Sequence, residues 1–384
     1  MNRKITSFLK QTFFIFILTI NFNSFCQIKN ELKTRLEKNL ENIYNLPNSN
    51  LWHYAGWDLN DYWRMAKEVR DRIESEKNNE ILENKIKSLT VWTSTWKKGG
   101  REKVKGEKNI TKIYDNQGNL IEEISYKNNS VDKDQVYKYD LTGNIIESNC
   151  TSVTDSWSNG KTIYVRDSLG NKVKQIEYGR NNNINWIYKS NYIYNNGNKI
   201  LKITTEKSNA QGIIIYNDEI NYDEYGNKIS SKGSMGSDIS STEFLYNNNI
   251  PFQIKVYYND RLTDEYGIGY DNLQRITDYY VIRYNKNGSK NWYEKVFIIY
   301  DSMDRIIEVN INNQLTKGDW NKNYKYKYDN KNRVIEEQAK KGSTKYKYNN
   351  KGLLVETEAK WDEDNMYTHE EWHTPEKYNY EFYK

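Results

Sequence analysis

One string of this sequence combines residue types and spacing that could do chemistry, His369-Glu370-Glu371-Trp372-His373. On a helix, the two histidines of an H-E-x-x-H string lie one turn apart and bind zinc, while the glutamate acts as the base of a hydrolase. Here Pro375 follows closely, and the flanking residues alternate as they do in a strand. We therefore expect a coincidental match in a terminal strand. The alternative is an exported zinc hydrolase that uses His369 and His373.

The other candidate binding and catalytic motifs match their patterns less well. Gly267 and Gly269 lack the third glycine of a dinucleotide-binding turn, and Asp362–Asp364 has no glycine at the spacing of a calcium loop. Cys150 has no histidine near it in the sequence, which indicates a small packed residue rather than a nucleophile. The sequence therefore predicts no catalytic residue, no cofactor and no metal.

Tryptophans recur at a similar distance before a set of tyrosine-containing turns. Trp186, Trp292 and Trp320 each lie 8 residues before the first residue of such a turn, and Trp157 lies 9 residues before one. We expect these four side chains on long loops at the far ends of hairpins. In one interpretation each indole packs over the next hairpin. In the other they form an aromatic strip that stacks on sugar rings, because the C–H face of a sugar buries apolar surface on an indole.

Hairpins are the elements that would position these residues. Tyr324–Glu337 reads YKYKYDNKNRVIEE, in which alternating Tyr and Lys indicate a half-buried strand and Asp329–Asn332 is typical of a turn. Val334 and Ile335 then begin a second strand. We call the last residue of the first strand, here Tyr328, and the turn that follows it a corner. Similar corners recur at intervals of 20 to 30 residues, which is typical of a repeat array. The corners begin at Tyr114, Tyr139, Arg166, Tyr194, Tyr222, Tyr246, Tyr270, Tyr300, Tyr328 and Tyr348.

This corner, YD-x-x-G-N/R followed by an aliphatic pair, resembles the YD repeat of the Rhs family. It is more similar still to the Trp- and Tyr-rich YD-repeat proteins exported by Bacteroidetes-type bacteria. The resemblance covers about residues 105–360. It implies a spiral sheet and export, and it supplies no shared catalytic residue. A fragment of an Rhs-type polymorphic toxin system is a further alternative, although no separate toxin-like domain follows the repeats.

Ten corners with two strands each predict an all-β meander of about 20 antiparallel strands. At about 4.8 Å per strand a flat sheet would be roughly 95 Å across, and open twisted sheets rarely pass about ten strands without curling. We therefore expect a curved or coiled sheet, like part of an Rhs shell. An open single-layer strip is the alternative.

Residues 1–26 read as a secretory signal peptide. Arg3, Lys4 and Lys10 precede an apolar run over residues 12–20, and small residues stand before Gln27. The run is too short for a membrane helix of about 20 residues. The sequence therefore predicts export to the periplasm, the cell surface or the extracellular space, with no transmembrane segment after signal removal. A lipid on Cys26 is the alternative.

Residues 27–89 are predicted to form an N-terminal helical cap, and residues 90–384 the repeat domain. Leu32, Leu36, Leu40 and Ile43 make one apolar stripe on a first helix. A second helix begins near residue 58, and Ile81, Leu82, Ile86 and Leu89 are expected to continue its pattern. The structural interpretation is a cap on the first repeat, since solenoids need caps. A helix hairpin that binds a partner is the other.

The amino-acid composition limits the classes of function that the chain could have. The mean hydropathy is -0.99, and 34 Tyr against 10 Phe indicate half-buried sheet faces packed by tyrosine rings. Without residues 1–26 the chain has 54 basic and 52 acidic residues, too balanced for nucleic-acid binding. The sequence thus predicts a non-enzymatic cell-envelope or extracellular protein, either structural or binding a polysaccharide or envelope components.

Overall fold

The computed structural model describes residues 79–97, 106–247, 250–313, 322–339, 342–361 and 371–383. In these ranges 22 antiparallel strands follow one another in chain order within one sheet. Residues 79–83 are helical, and Ser156–Ser158 forms a 3-10 turn. The strands are β1 Ile86–Lys97, β2 Glu107–Tyr114, β3 Leu120–Lys127, β4 Ser130–Tyr139, β5 Ile145–Ser152, β6 Gly160–Arg166, β7 Lys172–Gly179, β8 Ile184–Tyr194, β9 Ile200–Ser208, β10 Ile214–Tyr222, β11 Lys228–Met235, β12 Asp238–Asn247, β13 Ile250–Tyr258, β14 Arg261–Tyr270, β15 Ile276–Tyr284, β16 Lys290–Tyr300, β17 Ile306–Asn313, β18 Lys322–Tyr328, β19 Val334–Ala339, β20 Gly342–Tyr348, β21 Leu354–Trp361 and β22 Glu371–Phe382.

The sheet is closed. β1 pairs with β2 on one side and with β22 on the other, in a ladder that runs from Ile86 opposite Phe382 to Lys97 opposite Glu371. The all-β meander is confirmed, and the expectations of a coiled shell or an open strip were wrong. Closure satisfies the backbone groups that both edge strands would otherwise expose.

The predicted N-terminal helices fall mostly on residues outside those described. Residues 79–83 are helical, as the pattern at Ile81 and Leu82 indicates. Ile86 and Leu89, which we expected to continue that helix, instead lie in β1. Ile86 is 1% exposed and packs with Tyr114 and Leu353, so burial in the sheet overrides the local helical period.

The ten corners all join an even-numbered strand to the next odd-numbered one and therefore share one rim. The face of the sheet that carries the corner tyrosines, termed the tyrosine face, also holds the apolar core of β12–β20. Side chains on the other face form cross-strand ion pairs, as between Lys138 and Glu147 at 2.7 Å. In a closed sheet the two faces alternate along every strand, so the tyrosine face is the enclosed one. The residues of the β12–β20 core at 0–1% exposure are Ile254, Tyr266, Ile276, Val281, Val296, Ile306 and Val309.

Nine of the ten corners are built by an aspartate or asparagine whose side chain accepts backbone hydrogen bonds. At the corner of Tyr300, Asp301 accepts backbone N–H bonds from Met303 (2.8 Å) and Arg305 (3.0 Å) through its side chain. Asp304 then adopts a φ of 62°, a left-handed conformation that short polar side chains tolerate and that glycine takes in other corners. This explains why the sequence accepts Gly, Asn, Asp or Gln at that place.

A β-bulge follows every corner. Tyr300 lies opposite Ile306, whereas Ile299 lies opposite Glu308, so Ile307 has no partner. The first residue of the aliphatic pair therefore joins the core beside the tyrosine, and the second is extruded. The same register shift occurs at all ten corners.

Neighbouring corners are tied together by tyrosine hydroxyls. The Tyr300 hydroxyl donates to the carbonyl of Ile276, the first core residue after the preceding corner, at 2.9 Å. Arg275 of that preceding corner holds Asp271 at 2.7 Å and lies 4.8 Å from the centre of the Tyr300 ring. The same hydroxyl bond is made by Tyr139, Tyr246, Tyr270, Tyr328 and Tyr348. The corner rim is therefore a ladder of equivalent contacts.

Candidate functional site

The ladder is interrupted at the corner of Arg166, where the repeat lacks its tyrosine. The guanidinium of Arg166 bonds the carbonyl of Gly170 within its own corner at 2.8 Å. It therefore supplies no hydroxyl to the carbonyl of Ile145 in the preceding corner. At this interruption the repeat departs in both residue type and register.

One register change lies between β7 and β8, and a shift in the opposite sense lies between β9 and β10, where Lys202 is opposite Asn221. In a regular pair such as β15 and β16, Asp278 lies opposite Phe297, which is three residues before the corner Tyr300. In β7 the equivalent residue is Lys174, and it lies opposite Lys189, five residues before the corner Tyr194. β8 is therefore shifted by two residues toward the corner rim, or roughly 7 Å at the rise of a strand.

The shift changes which tyrosine makes the ladder bond. Tyr192 takes the place of the corner residue and donates its hydroxyl to the carbonyl of Lys172 at 3.1 Å. Tyr194, displaced beyond it, donates to Asp167 at 3.1 Å and accepts from Asn171 at 2.7 Å. The two tyrosine rings stack with their centres 6.2 Å apart.

A cleft of about 460 Å³ opens beside the shifted strand. Pairing between β7 and β8 ends at Lys174 and Lys189, as it ends at the equivalent Asp278 in the regular pair of β15 and β16. Because the shift keeps every side chain on its own face but moves it along the strand, the corner no longer fills the space beside it. The cleft is lined by Asp167, Lys174, Tyr194 and the stretch Lys189–Tyr192, with Val165 and Val173 below.

The lining of the cleft combines cations and hydrogen-bonding groups, which lie on the face of the sheet opposite the tyrosine rings. Lys174 and Lys189 supply two ammonium groups, and Asn191 presents an exposed amide. Ser190 is engaged with Thr205 at 2.9 Å. Such a set can bind hydroxyl and acidic oxygen atoms, as in pockets where a few polar groups orient a ligand.

Asp167 is the only carboxylate that lines this cleft. Partial burial acts to raise its pKa, but the hydrogen bonds donated by Asn171, Tyr194 and Leu169 outweigh burial, so the pKa is lowered. A general base works best with a pKa near the operating pH. Asp167 is therefore a structural anchor for the corner, and the geometry suits binding.

The tryptophans predicted from the sequence do not meet in one place. Trp186 and Trp292 lie on strands β8 and β16 instead of loops, both on the tyrosine face and both half-buried. Eight inter-strand spacings separate them, or roughly 38 Å along the sheet. Trp157 lies in the 3-10 turn, and Trp320 is outside the described residues. The Trp186 ring has the ammonium of Lys207 4.5 Å from its centre.

The zinc-type string falls partly outside the described residues, which exclude His369 and Glu370. His373 lies in β22, opposite Thr95 of β1, so it is on a strand as predicted. Within the described ranges no three His, Cys, Asp or Glu side chains come together as a metal site would require. Cys150 is a free thiol in β5, 3.9 Å from the Ser158 hydroxyl.

Sequence reasoning missed the cleft residues Lys174, Lys189 and Asn191. Two signals were present in the sequence. Arg166 replaces the corner tyrosine, and Lys174 stands where six other repeats have an acidic residue. The register shift that brings these residues together has no sequence pattern of its own.

Among the residues described, no helix has the length and apolar character needed to cross a membrane.

Comparisons with known proteins add no family. No protein-family model matches the sequence, and no curated protein matches it. The solved structures it is similar to include TcdB2-TccC3 without its hypervariable C-terminal region, at 12% identity, with 65% of this chain and 16% of the other covered and a TM-score of 0.25. Porin-like proteins from Bacteroides uniformis and Bacteroides vulgatus match at 10% identity each. They cover 60% and 61% of this chain and 98% and 99% of their own, with TM-scores of 0.32 and 0.22. At these TM-scores the likenesses carry no assignment of fold or function.

Proposed function

We propose that this chain is an exported, non-enzymatic binding protein of the cell envelope or extracellular space, and that it binds polysaccharide in the cleft between β6 and β8. The supporting observation is that a cleft in the described part of the sheet lies where the corner of Arg166 interrupts the ladder of tyrosine hydroxyl bonds. A departure that leaves space open and polar groups exposed is unfavourable for packing alone. Binding provides a reason to retain it.

The chemistry of the cleft supports a carbohydrate ligand. Sugars present many hydroxyl groups, which suit the amide of Asn191 and the ammonium groups of Lys174 and Lys189 on the face of the sheet opposite the stacked rings of Tyr192 and Tyr194. Export follows from the predicted signal peptide at residues 1–26. The resemblance to exported YD-repeat proteins also supports export.

A glycan array and pull-downs with insoluble polysaccharides, using the chain from Gln27 onward, test this function. The wild type should be retained by at least one polysaccharide, and Asn191→Ala should weaken that retention because an exposed amide donor is lost from the cleft. Asn149→Ala is the matched control, since Asn149 is an exposed asparagine on β5 that does not line the cleft. Failure of the folded wild type to bind any polysaccharide would contradict the proposal.

A further inference from the structure

We propose that the cleft takes an anionic group, a carboxylate, sulfate ester or phosphate ester, between the ammonium groups of Lys174 and Lys189. This inference rests on the proposed function for the polysaccharide that would carry the group. It adds the charge class of the ligand and the two residues that select it.

The first argument is the cross-strand position of the two lysines. Lys174 and Lys189 lie directly opposite each other on β7 and β8, where Cβ atoms are about 5 Å apart and like charges destabilise the pairing. In the regular register Lys174 would instead face Asn191. The two-residue shift therefore creates a like-charge pair at the mouth of the cleft, and an anion bound there would relieve the repulsion.

The second argument is the charge of the equivalent residues elsewhere in the repeat. Where the second strand carries an acid, a lysine on the neighbouring strand often neutralises it, as in the pair Lys327–Glu336 at 2.9 Å. Lys174 reverses this charge. The residues equivalent to Lys174 in six other repeats are Glu122, Glu147, Asp278, Glu308, Glu336 and Glu356.

No ion pair among the described residues includes Lys174 or Lys189, although Glu206 lies opposite Lys189 and Asp167 lines the cleft. Val165 is the other cross-strand neighbour of Lys174. Glu206 is the other neighbour of Lys189, and in the described ranges neither lysine is within ion-pair distance of a carboxylate. The side-chain oxygens of Asp167 accept hydrogen bonds from donors of its own corner and from Tyr194. Lys174 therefore has no acidic cross-strand neighbour, and its ammonium group is available to a ligand.

Paired ligands test the charge class directly. Binding of dextran sulfate is compared with that of dextran, and binding of polygalacturonate with that of its methyl ester. We expect the two acidic polymers to bind and their binding to weaken with added salt, because exposed charges are screened. Lys174→Gln and Lys189→Gln should each reduce affinity about tenfold, the usual effect of losing one hydrogen bond to a charged group. Lys202→Gln, the same change one repeat further on, where Lys202 pairs with Glu219 at 2.8 Å, should leave affinity unchanged.

The outcomes separate this inference from the proposed function. Equal binding of neutral and acidic polymers that neither lysine variant alters would overturn the anion site and leave polysaccharide binding standing. Calorimetric titration with inorganic sulfate tests the anion site without a polysaccharide. Sulfate binding that requires Lys174 and Lys189, without retention of any polymer, would support the anion site and refute the polysaccharide. Absence of both kinds of binding in folded protein would overturn both.

Discussion

The backbone N–H of Tyr383 donates a hydrogen bond to the carbonyl of Lys85 at 2.7 Å, although the two residues come from opposite ends of the described chain. The same bond, from the second to the sixth residue, closes nine of the ten continuous corners, as from Asp301 to Arg305 at 2.9 Å. Phe382 lies opposite Ile86 with a register shift beside it, as a corner tyrosine lies opposite its core residue. We call this junction of β22 with β1 the seam. It is an eleventh corner made of two chain segments.

The seam also repeats the shifted register of the cleft. Tyr380, two residues before Phe382, donates its hydroxyl to the carbonyl of Leu354 at 3.0 Å, as Tyr192 does to Lys172 two residues before Tyr194. The rings of Tyr380 and Phe382 stack with their centres 6.4 Å apart, close to the 6.2 Å between the two tyrosine rings at the cleft. The rim thus holds two shifted corners, one continuous and one split.

Deleting residues 382–384 should open the seam. The deletion removes the Tyr383 backbone bond, its hydroxyl bond to the carbonyl of Tyr114 and the pairing of Phe382 with Ile86. At about 1 kcal/mol per hydrogen bond we expect the free energy of unfolding to fall by about 2–3 kcal/mol. Hydrogen exchange should show faster exchange in β1. Tyr383→Phe, which removes one bond, should cost about 1 kcal/mol, and unchanged protection of β1 in the deletion would contradict the split corner.

Tyr300→Phe should destabilise the protein by about 1 kcal/mol, because the carbonyl of Ile276 loses its hydroxyl donor while the ring remains. Denaturant unfolding followed by circular dichroism measures the change. Tyr293→Phe is the control, since Tyr293 lies on the opposite face of the same strand and has no hydroxyl bond among the described residues. Equal effects of the two changes would show that the ladder bonds add no stability.

Glu294 should make stability depend on pH. It is 3% exposed on β16, and burial raises its pKa to about 7 despite the opposing charges of Lys322 and Arg283. Because the folded pKa lies above the unfolded value, the stabilising proton is fully present below about pH 4.5 and is lost as the pH rises through 7. Unfolding measured from about pH 4 to about pH 8 should therefore show falling stability from this group.

Replacing Glu294 should remove the dependence of stability on pH that its carboxyl group causes. Glu294→Gln should match the wild type near pH 4 and exceed its stability near pH 8 by on the order of 2 kcal/mol. Glu356→Gln is the control, because Glu356 is a surface residue paired with Lys347 at 2.9 Å, and such pairs contribute about 0–1 kcal/mol. A parallel pH dependence of the Glu294→Gln variant and the wild type would contradict the assignment.

Trp186 and Trp292, the two residues of the predicted aromatic strip that lie on described strands, provide a test of that hypothesis. Trp186→Ala and Trp292→Ala should each weaken polysaccharide binding modestly if the indoles stack on sugars, because several weak sites act together. Thermal unfolding of both variants provides the comparison. Loss of stability in each with unchanged binding would show that the indoles pack the sheet and that the cleft acts without them.

Export predicts a defined N-terminus. Mass spectrometry of the native exported protein should find Gln27 as the first residue, because cleavage follows the small residues that end the signal. A diacylglyceryl group on Cys26 would replace this outcome with a membrane anchor. Retention of residues 1–26 would contradict export by this route.

The sequence by itself determined the local units of this protein. Alternating tyrosine and lysine define strands, Asp or Asn followed by a residue able to adopt positive φ defines each corner, and the aliphatic pair places one side chain in the core. These features depend on residues close together in the chain. The number of strands and their antiparallel order followed from them within two strands of the observed sheet.

Only the tertiary structure decided closure and the cleft. Closure depends on β1 meeting β22, a pairing of distant segments that no local pattern encodes. The cleft depends on a two-residue shift of β8, and the side chains of a strand alternate with a period of two. Such a shift leaves every side chain on its original face, so the pattern of Trp186, Tyr188 and Tyr192 is the same in either register. What changes is the cross-strand neighbour, and that is why Lys174 meets Lys189.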